Sequence, residues 1–173
     1  AMKNVAPIRK ELGLKTFFNM LGPLVNPSNP NNQMVGVYNL ELARLYSSIL
    51  QKSNKKFSVI YSLDGYDEIS LTSEVKLFSN NNEQILKPST LGFEKIDSKL
   101  ISGGKTISES ANIFMNILSN NSTEPQKNVV IMNSGLAIST ATGISLYDGV
   151  SKARESIESG NAKRVFELLK KIK

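Results

Sequence analysis

Two adjacent carboxylates, Asp67 and Glu68, share a polar loop, Ser62 to Ser70, with Asp64 and Gly65. On a strand, neighbouring side chains point to opposite faces. On a loop they can converge on one hard cation. Magnesium accepts one or two carboxylates, keeps several waters and bridges to substrate phosphates. An ordinary turn that solvates its charges uses the same residues, and spacing taken alone favours that turn. Arg9, flanked by Lys3 and Lys10, could grip a substrate carboxylate in bidentate fashion; a solvated helix charge explains it locally. Gly22, before Pro23, lacks a side chain and would let backbone approach a ligand closely, or it simply makes a turn.

Gly103-Gly104-Lys105-Thr106 resembles the end of a phosphate-binding loop. That motif needs a glycine five residues before its second one, and Lys99 stands there. A glycine turn feeding a capped helix accounts for the segment, and the nucleotide reading fails.

What is missing narrows the chemistry further. The chain has no histidine and no cysteine. It holds no Ser-His-Asp triad, no Cys-His dyad, no histidine zinc site and no disulfide framework. Catalysis would rely on carboxylates, cations, backbone amides or an oxygen-held metal. The net charge of +6 suits phosphate ligands or nucleic acid. However, Lys163, Arg164, Lys170, Lys171 and Lys173 crowd the last helix, where cations favour the helix dipole and face solvent. No apolar stretch reaches the length of a membrane span, and the early cations lead into no signal-peptide core, so a cytoplasmic location is expected.

The elements that must position these residues follow from periodicity. Val5, Ile8 and Leu12 predict a short helix from Lys3 to Leu12, stopped at Gly13. Thr16 to Pro27 reads as loop or turn. Gln33 to Tyr38 is a strand, Leu40 to Lys52 a helix capped by Asn39, and Phe57 to Tyr61 a second strand. That order makes a βαβ unit and a parallel pair. The acidic loop then lies outside a strand's carboxyl end, where open α/β sheets bind ligands. The helix face is predicted as Leu42, Leu45, Tyr46, Ile49 and Leu50. Glu74 to Phe78 and Gln84 to Leu86 form a hairpin. Helices follow: Ile107 to Leu118 behind a Thr106/Glu109 capping box, a buried helix through Val129 to Ile138, one capped by Ser145 with Asp148, and one striped by Ala162, Val165, Phe166, Leu169 and Ile172. The predicted fold is α/β, a single domain over 1–173. It has an incomplete, mainly parallel sheet with flanking helices, one hairpin and a helical carboxy-terminal part.

Read together, the motifs resemble anthranilate phosphoribosyltransferases. The run from Ala1 to Gly13, continuing through Thr16-Phe17-Phe18-Asn19-Met20-Leu21-Gly22-Pro23-Leu24-Val25-Asn26-Pro27, is similar to that family's most specific signature. Gly36-Val37-Tyr38, Gly65-Tyr66-Asp67-Glu68-Ile69-Ser70, Gly103-Gly104 leading to Ser110-Ala111-Asn112, Asn133 before small residues, and Ala153-Arg154-Glu155-Ser156-Ile157 match in order. Lys15 departs from the pattern, standing where arginine is common. The resemblance implies transfer of phosphoribosyl from phosphoribosyl pyrophosphate to the amino group of anthranilate, in tryptophan biosynthesis. It implies that Arg9 and Gly22 belong to the anthranilate site and that Asp67 and Glu68 hold Mg2+ on the pyrophosphate. The fold it implies is like the carboxy-terminal domain of nucleoside phosphorylases and phosphoribosyltransferases.

The sequence lacks the family's Gly-Thr-Gly-Gly-Asp pyrophosphate loop, its Lys-His-Gly-Asn segment, its His-Pro pair and its amino-terminal helical domain. The expectation is therefore a truncated transferase portion that is inactive alone and binds magnesium weakly. It should self-associate through a strand edge near Gln33 to Tyr38 and apolar surface near Val5, Ile8 and Phe17. A nucleic-acid-binding, non-enzymatic relative of the fold, or a functionless remnant, are the alternatives; the retained Arg9 and Asp67-Glu68 speak against the first. No membrane partner is expected.

Overall fold

Strands β1 (Asn32–Gly36) and β2 (Lys56–Ser62) pair in parallel, with Met34 opposite Ser58 and Gly36 opposite Ile60, in the computed structural model, which describes residues 18–80 and 82–172. The expected βαβ unit is present. Helix α2 (Leu40–Gln51) joins the two strands, and the Asn39 side chain accepts from the Leu42 amide at 2.8 Å. That cap satisfies one of the helix's orphan N–H donors.

The chain divides at the polar loop before β1 into units of residues 1–31 and 32–173. In the first unit, helix α1 (Phe18–Leu21) runs into a 3-10 turn, Gly22–Leu24, closed by the Val25 amide on the Gly22 carbonyl at 3.5 Å. The predicted helix Lys3 to Leu12 lies outside the described residues.

In the second unit the sheet order is β1-β2-β3-β4. β3 (Val75–Ser79) and β4 (Glu83–Leu86) form the predicted hairpin. β3 pairs antiparallel with β2. The α/β class holds, but parallel pairing is confined to β1 and β2. The expected mainly parallel sheet is a mixed one among the described residues, because the hairpin docks directly on β2.

β2 is buried along most of its length, as befits a strand covered on both faces. Ile60 belongs to a core cluster with Ile131, Met132, Leu136, Val150 and Ile157. Those partners come from helices α4 (Glu124–Thr142) and α5 (Leu146–Glu158). Phe57 and Val59, at alternate positions, turn to the opposite face, where α2 packs against β2 and β3. The buried α2 residues are Leu42, Ala43, Tyr46, Ser47 and Leu50. Leu45 and Ile49, predicted to face inward, are exposed. Small Ala43 and Ser47 let the helix sit close to the sheet, which rotates its larger neighbours outward.

Helix α3 (Ile107–Leu118) has the predicted cap: Thr106 Oγ1 accepts from the Glu109 amide at 3.1 Å. The Glu109 carboxylate reaches one residue further back than a capping box, accepting from the Lys105 amide at 2.6 Å. α4 carries the Val129 to Ile138 run as the predicted helix, and small residues explain its packing. An added Cβ on Gly149 would lie 2.3 Å from the Gly135 carbonyl oxygen, so α4 and α5 cross in direct backbone contact. Ser145 caps α5 as predicted, with the Asp148 amide 3.1 Å from its Oγ. Helix α6 (Asn161–Leu169) follows. Its predicted stripe is only partly covered: Ala162 packs against the core cluster and Phe166 meets Phe114 edge-on at 4.9 Å, while Val165, Leu169 and Ile172 are more than half exposed. Among the described residues no helix is long and apolar enough to cross a membrane.

Candidate metal and substrate site

The loop after β2 is built by its own hydrogen bonds before any ligand is considered. Ser62, the last residue of β2, accepts from the Gly65 amide through its carbonyl and donates its amide to the Tyr66 carbonyl, closing a turn around Gly65. The Asp64 carboxylate accepts from the hydroxyls of Thr72 and Ser73, so it is engaged in holding the two ends of the loop together. Leu71, buried, adopts a left-handed conformation with φ 61°, and its carbonyl accepts from the Ile96 amide at 3.0 Å. A non-glycine residue at such an angle persists where its surroundings over-determine it.

Asp67 and Glu68 stand at the exposed crest of this loop. As chain neighbours on the loop, the two acids act on each other electrostatically. The hydrogen bond a protonated Glu68 carboxyl can donate to Asp67, then partial desolvation, then the neighbouring Asp67 charge push the Glu68 carboxyl above its ordinary pKa; its own backbone amide pulls the other way. A Glu68 carboxylate whose ionisation is opposed by a neighbouring acid is what a divalent cation relieves. Among the described residues no cluster of three or more Asp, Glu, His or Cys could hold a metal. A pair of acids is a donor set that magnesium can use, since it takes one or two carboxylates and completes its shell with waters and phosphate oxygens. That set does not fit a closed, all-protein metal cage. Asp64, the third acid of the loop, is committed elsewhere.

The backbone beneath the pair is held from three sides. At the end of β1, an added Cβ on Gly36 would lie 1.7 Å from the Asp67 carbonyl oxygen, so only glycine admits the loop there. Ser62 Oγ donates to the Glu68 carbonyl at 2.6 Å. From α4, Asn133 Oδ1 accepts from the Ile69 amide at 3.0 Å, while Nδ2 donates to the Ile69 carbonyl and the Val129 carbonyl, each at 2.9 Å. Beside Glu68 lies a hollow of ≈ 400 Å³, lined by Tyr66, Ser70, Ile101, Val129 and Asn133 among others.

The sequence-predicted residues fare differently. Asp67 and Glu68 stand side by side on the exposed loop after β2. Gly22 begins the exposed turn of the first unit, and an added Cβ there would meet nothing within 4 Å, so its own packing does not demand glycine. Arg9 lies outside the described residues. The clamping roles of Gly36, Ser62 and Asn133 are not evident from the sequence alone, although Gly36 and Asn133 stand in family-like motifs. The available signals were a polar amide inside a buried apolar helix, which must find partners, and a glycine at a strand end, which often marks close backbone approach.

Residues 1–163 match the model of the glycosyl transferase family, a/b domain. An anthranilate phosphoribosyltransferase from Christiangramia forsetii is 51% identical over 172 residues, covering 99% of this chain and 52% of the relative. One from Flavobacterium psychrophilum is 53% identical over 172 residues, covering 99% and 51%. The chain thus spans about half the length of the curated relatives it matches. Among solved structures, the anthranilate phosphoribosyltransferase from Thermus thermophilus superposes with a TM-score of 0.87 at 29% identity, over 96% of this chain and 50% of that one. The Saccharomyces cerevisiae enzyme in complex with PRPP and Mg gives 0.86 at 29% identity, over 96% and 48%. With its fold, its motifs and its residues 1–163 in agreement, this chain belongs to the glycosyl transferase family, within that family's a/b domain.

Proposed function

We propose that these residues supply the metal-holding and acceptor-facing portion of an anthranilate phosphoribosyltransferase, which transfers phosphoribosyl from phosphoribosyl pyrophosphate to anthranilate in tryptophan biosynthesis. The observation that carries the reading is the adjacency of Asp67 and Glu68 on a fixed loop at the carboxyl end of β2. It is supported by the yeast relative, whose structure holds PRPP and Mg. Magnesium held by Asp67 and Glu68 would offset charge on the departing pyrophosphate. Arg9 would pair with the anthranilate carboxylate, and the exposed Gly22 turn would let backbone lie against the same substrate. Positioning and electrostatics do most of the work in such a transfer.

A polypeptide of these 173 residues carries no Gly-Thr-Gly-Gly-Asp loop for the pyrophosphate, and we expect it alone to be inactive, to bind magnesium weakly and to self-associate. A single monomeric species in sedimentation across a wide concentration range would contradict the last point. The function itself is tested with a chimera in which this chain replaces the matching half of the Christiangramia forsetii enzyme. The chimera should consume anthranilate in the presence of phosphoribosyl pyrophosphate and Mg2+, and Asp67→Ala with Glu68→Ala should abolish that consumption. A folded but inactive chimera, or one indifferent to both substitutions, would refute the reading.

A further inference from the structure

We infer that Asn133 on α4, together with Gly36 at the end of β1, is a positioning residue that fixes the peptide backbone beneath Asp67 and Glu68 and so sets the direction of both carboxylates toward one cation. The inference rests on the reading of that pair as the magnesium site and adds the residues that make the site rigid.

Three consecutive residues are pinned, each by a different element. The Asp67 carbonyl fills the space a side chain would occupy on Gly36. The Glu68 carbonyl accepts from Ser62 Oγ. The Ile69 peptide is gripped at both its amide and its carbonyl by Asn133. The orientation of the Asn133 amide follows from this network, since Ile69 N–H requires an acceptor and the Ile69 and Val129 carbonyls require donors. With the φ and ψ of residues 67 to 69 held, the Cα–Cβ directions of the two acids are fixed and only side-chain rotation remains. Magnesium demands near-ideal octahedral geometry, so a loop free to drift would lose affinity without losing a single ligand atom.

Asn133 itself is held by a helix that cannot shift easily. Its neighbour Gly135 packs backbone to backbone against Gly149 of α5, and Ile131 and Met132 are fully buried. The clamp thus transmits the rigidity of the α4–α5 pair to the loop. Asn133 touches no reacting atom; it acts through the loop.

The test uses Mn2+ as a paramagnetic probe with the 173-residue chain, read by broadening of amide resonances. In the unaltered chain, Mn2+ should broaden Asp67 and Glu68 first, and Asp67→Ala with Glu68→Ala should remove that effect. Asn133→Ala should keep a dispersed spectrum, speed hydrogen exchange at the Ile69 amide, and raise the Mn2+ midpoint roughly tenfold or more, the scale on which outer partners change metal affinity. Asn80→Ala, a control far from the loop, should leave the midpoint unchanged. If Asn133→Ala does not fold, Gly36→Ala, which pushes the loop from β1, should raise the midpoint in the same way. An unchanged midpoint in the folded Asn133 variant, or in the Gly36 variant used in its stead, overturns the positioning role while the metal site stands. Broadening that survives loss of both carboxylates, or that never reaches residues 67 and 68, overturns the metal site and this inference with it.

Discussion

Two asparagines clamp backbone at opposite ends of β2, and the same chemistry serves different ends. Asn80, in the hairpin turn, accepts from the Phe57 amide at 2.9 Å and donates to the Lys55 carbonyl at 2.7 Å. It is exposed, and what it holds is the entry of a strand already fixed by β1 and β3. Asn133 makes the equivalent pair of bonds to Ile69 and a third to Val129, but from a part-buried helix onto a loop with no ladder of its own. Removing the first clamp leaves the sheet to do its work. Removing the second leaves two adjacent acids on an unsupported crest. A side-chain amide on backbone is thus informative only with what lies next to it: at Asn133, a pair of adjacent carboxylates.

The largest stability effect should come from Asn133→Ala. Ile69 is buried, and its amide and carbonyl would lose their partners, costing roughly 2–3 kcal/mol in a denaturant titration. A loss as small as that of Asn80→Ala would erase the contrast between the clamps. Gly36→Ala should cost roughly 1–3 kcal/mol, because the added methyl collides with the fixed Asp67 carbonyl and the loop must move. Asn80→Ala should cost about 1 kcal/mol, as expected for exposed bonds, and leave the acidic loop's amide exchange unaltered.

The smallest effect concerns pH. The Glu68 carboxyl is raised in the folded chain, so the folded state binds its proton more tightly than the unfolded chain does. Its contribution to stability is fully present below the ordinary carboxyl range and is lost as pH rises through the raised folded-state value. Thermal melts of the parent chain should therefore fall relative to Glu68→Gln as pH rises from about 4 toward neutrality. Added Mg2+ at neutral pH should narrow that gap. A gap of the opposite sign would mean that the two carboxyls do not share space.

Much of this was legible in the residues. Asn39, Thr106 and Ser145 announced three helix starts because capping depends on side chains one turn away. The acidic pair was legible as a candidate from its place after a strand. Its support was not, since Gly36, Ser62 and Asn133 converge on it from distant points in the chain. The inner face of α2 was misread for a related reason. Periodicity shows that Leu45 and Ile49 share a stripe with Leu42, but not that Ala43 and Ser47 would be the residues pressed against the sheet. Likewise the stripe of α6 shows an apolar face without showing whether any described element covers it. The mixed sheet was beyond local reading too: hairpin strands announce their mutual pairing, not the neighbour they join.

The central claim is that Asp67 and Glu68 together hold the metal. Crystals of the chain soaked with Mn2+ and inorganic pyrophosphate test it most directly, through the anomalous signal of the ion. The account predicts a peak bonded to both carboxylates at about 2.1–2.2 Å, close to the distance expected for magnesium, with pyrophosphate on its open side and Asp64 still bound to Thr72 and Ser73. A peak coordinated by Asp64 in place of this pair, or one that persists after Asp67→Ala and Glu68→Ala, would contradict it.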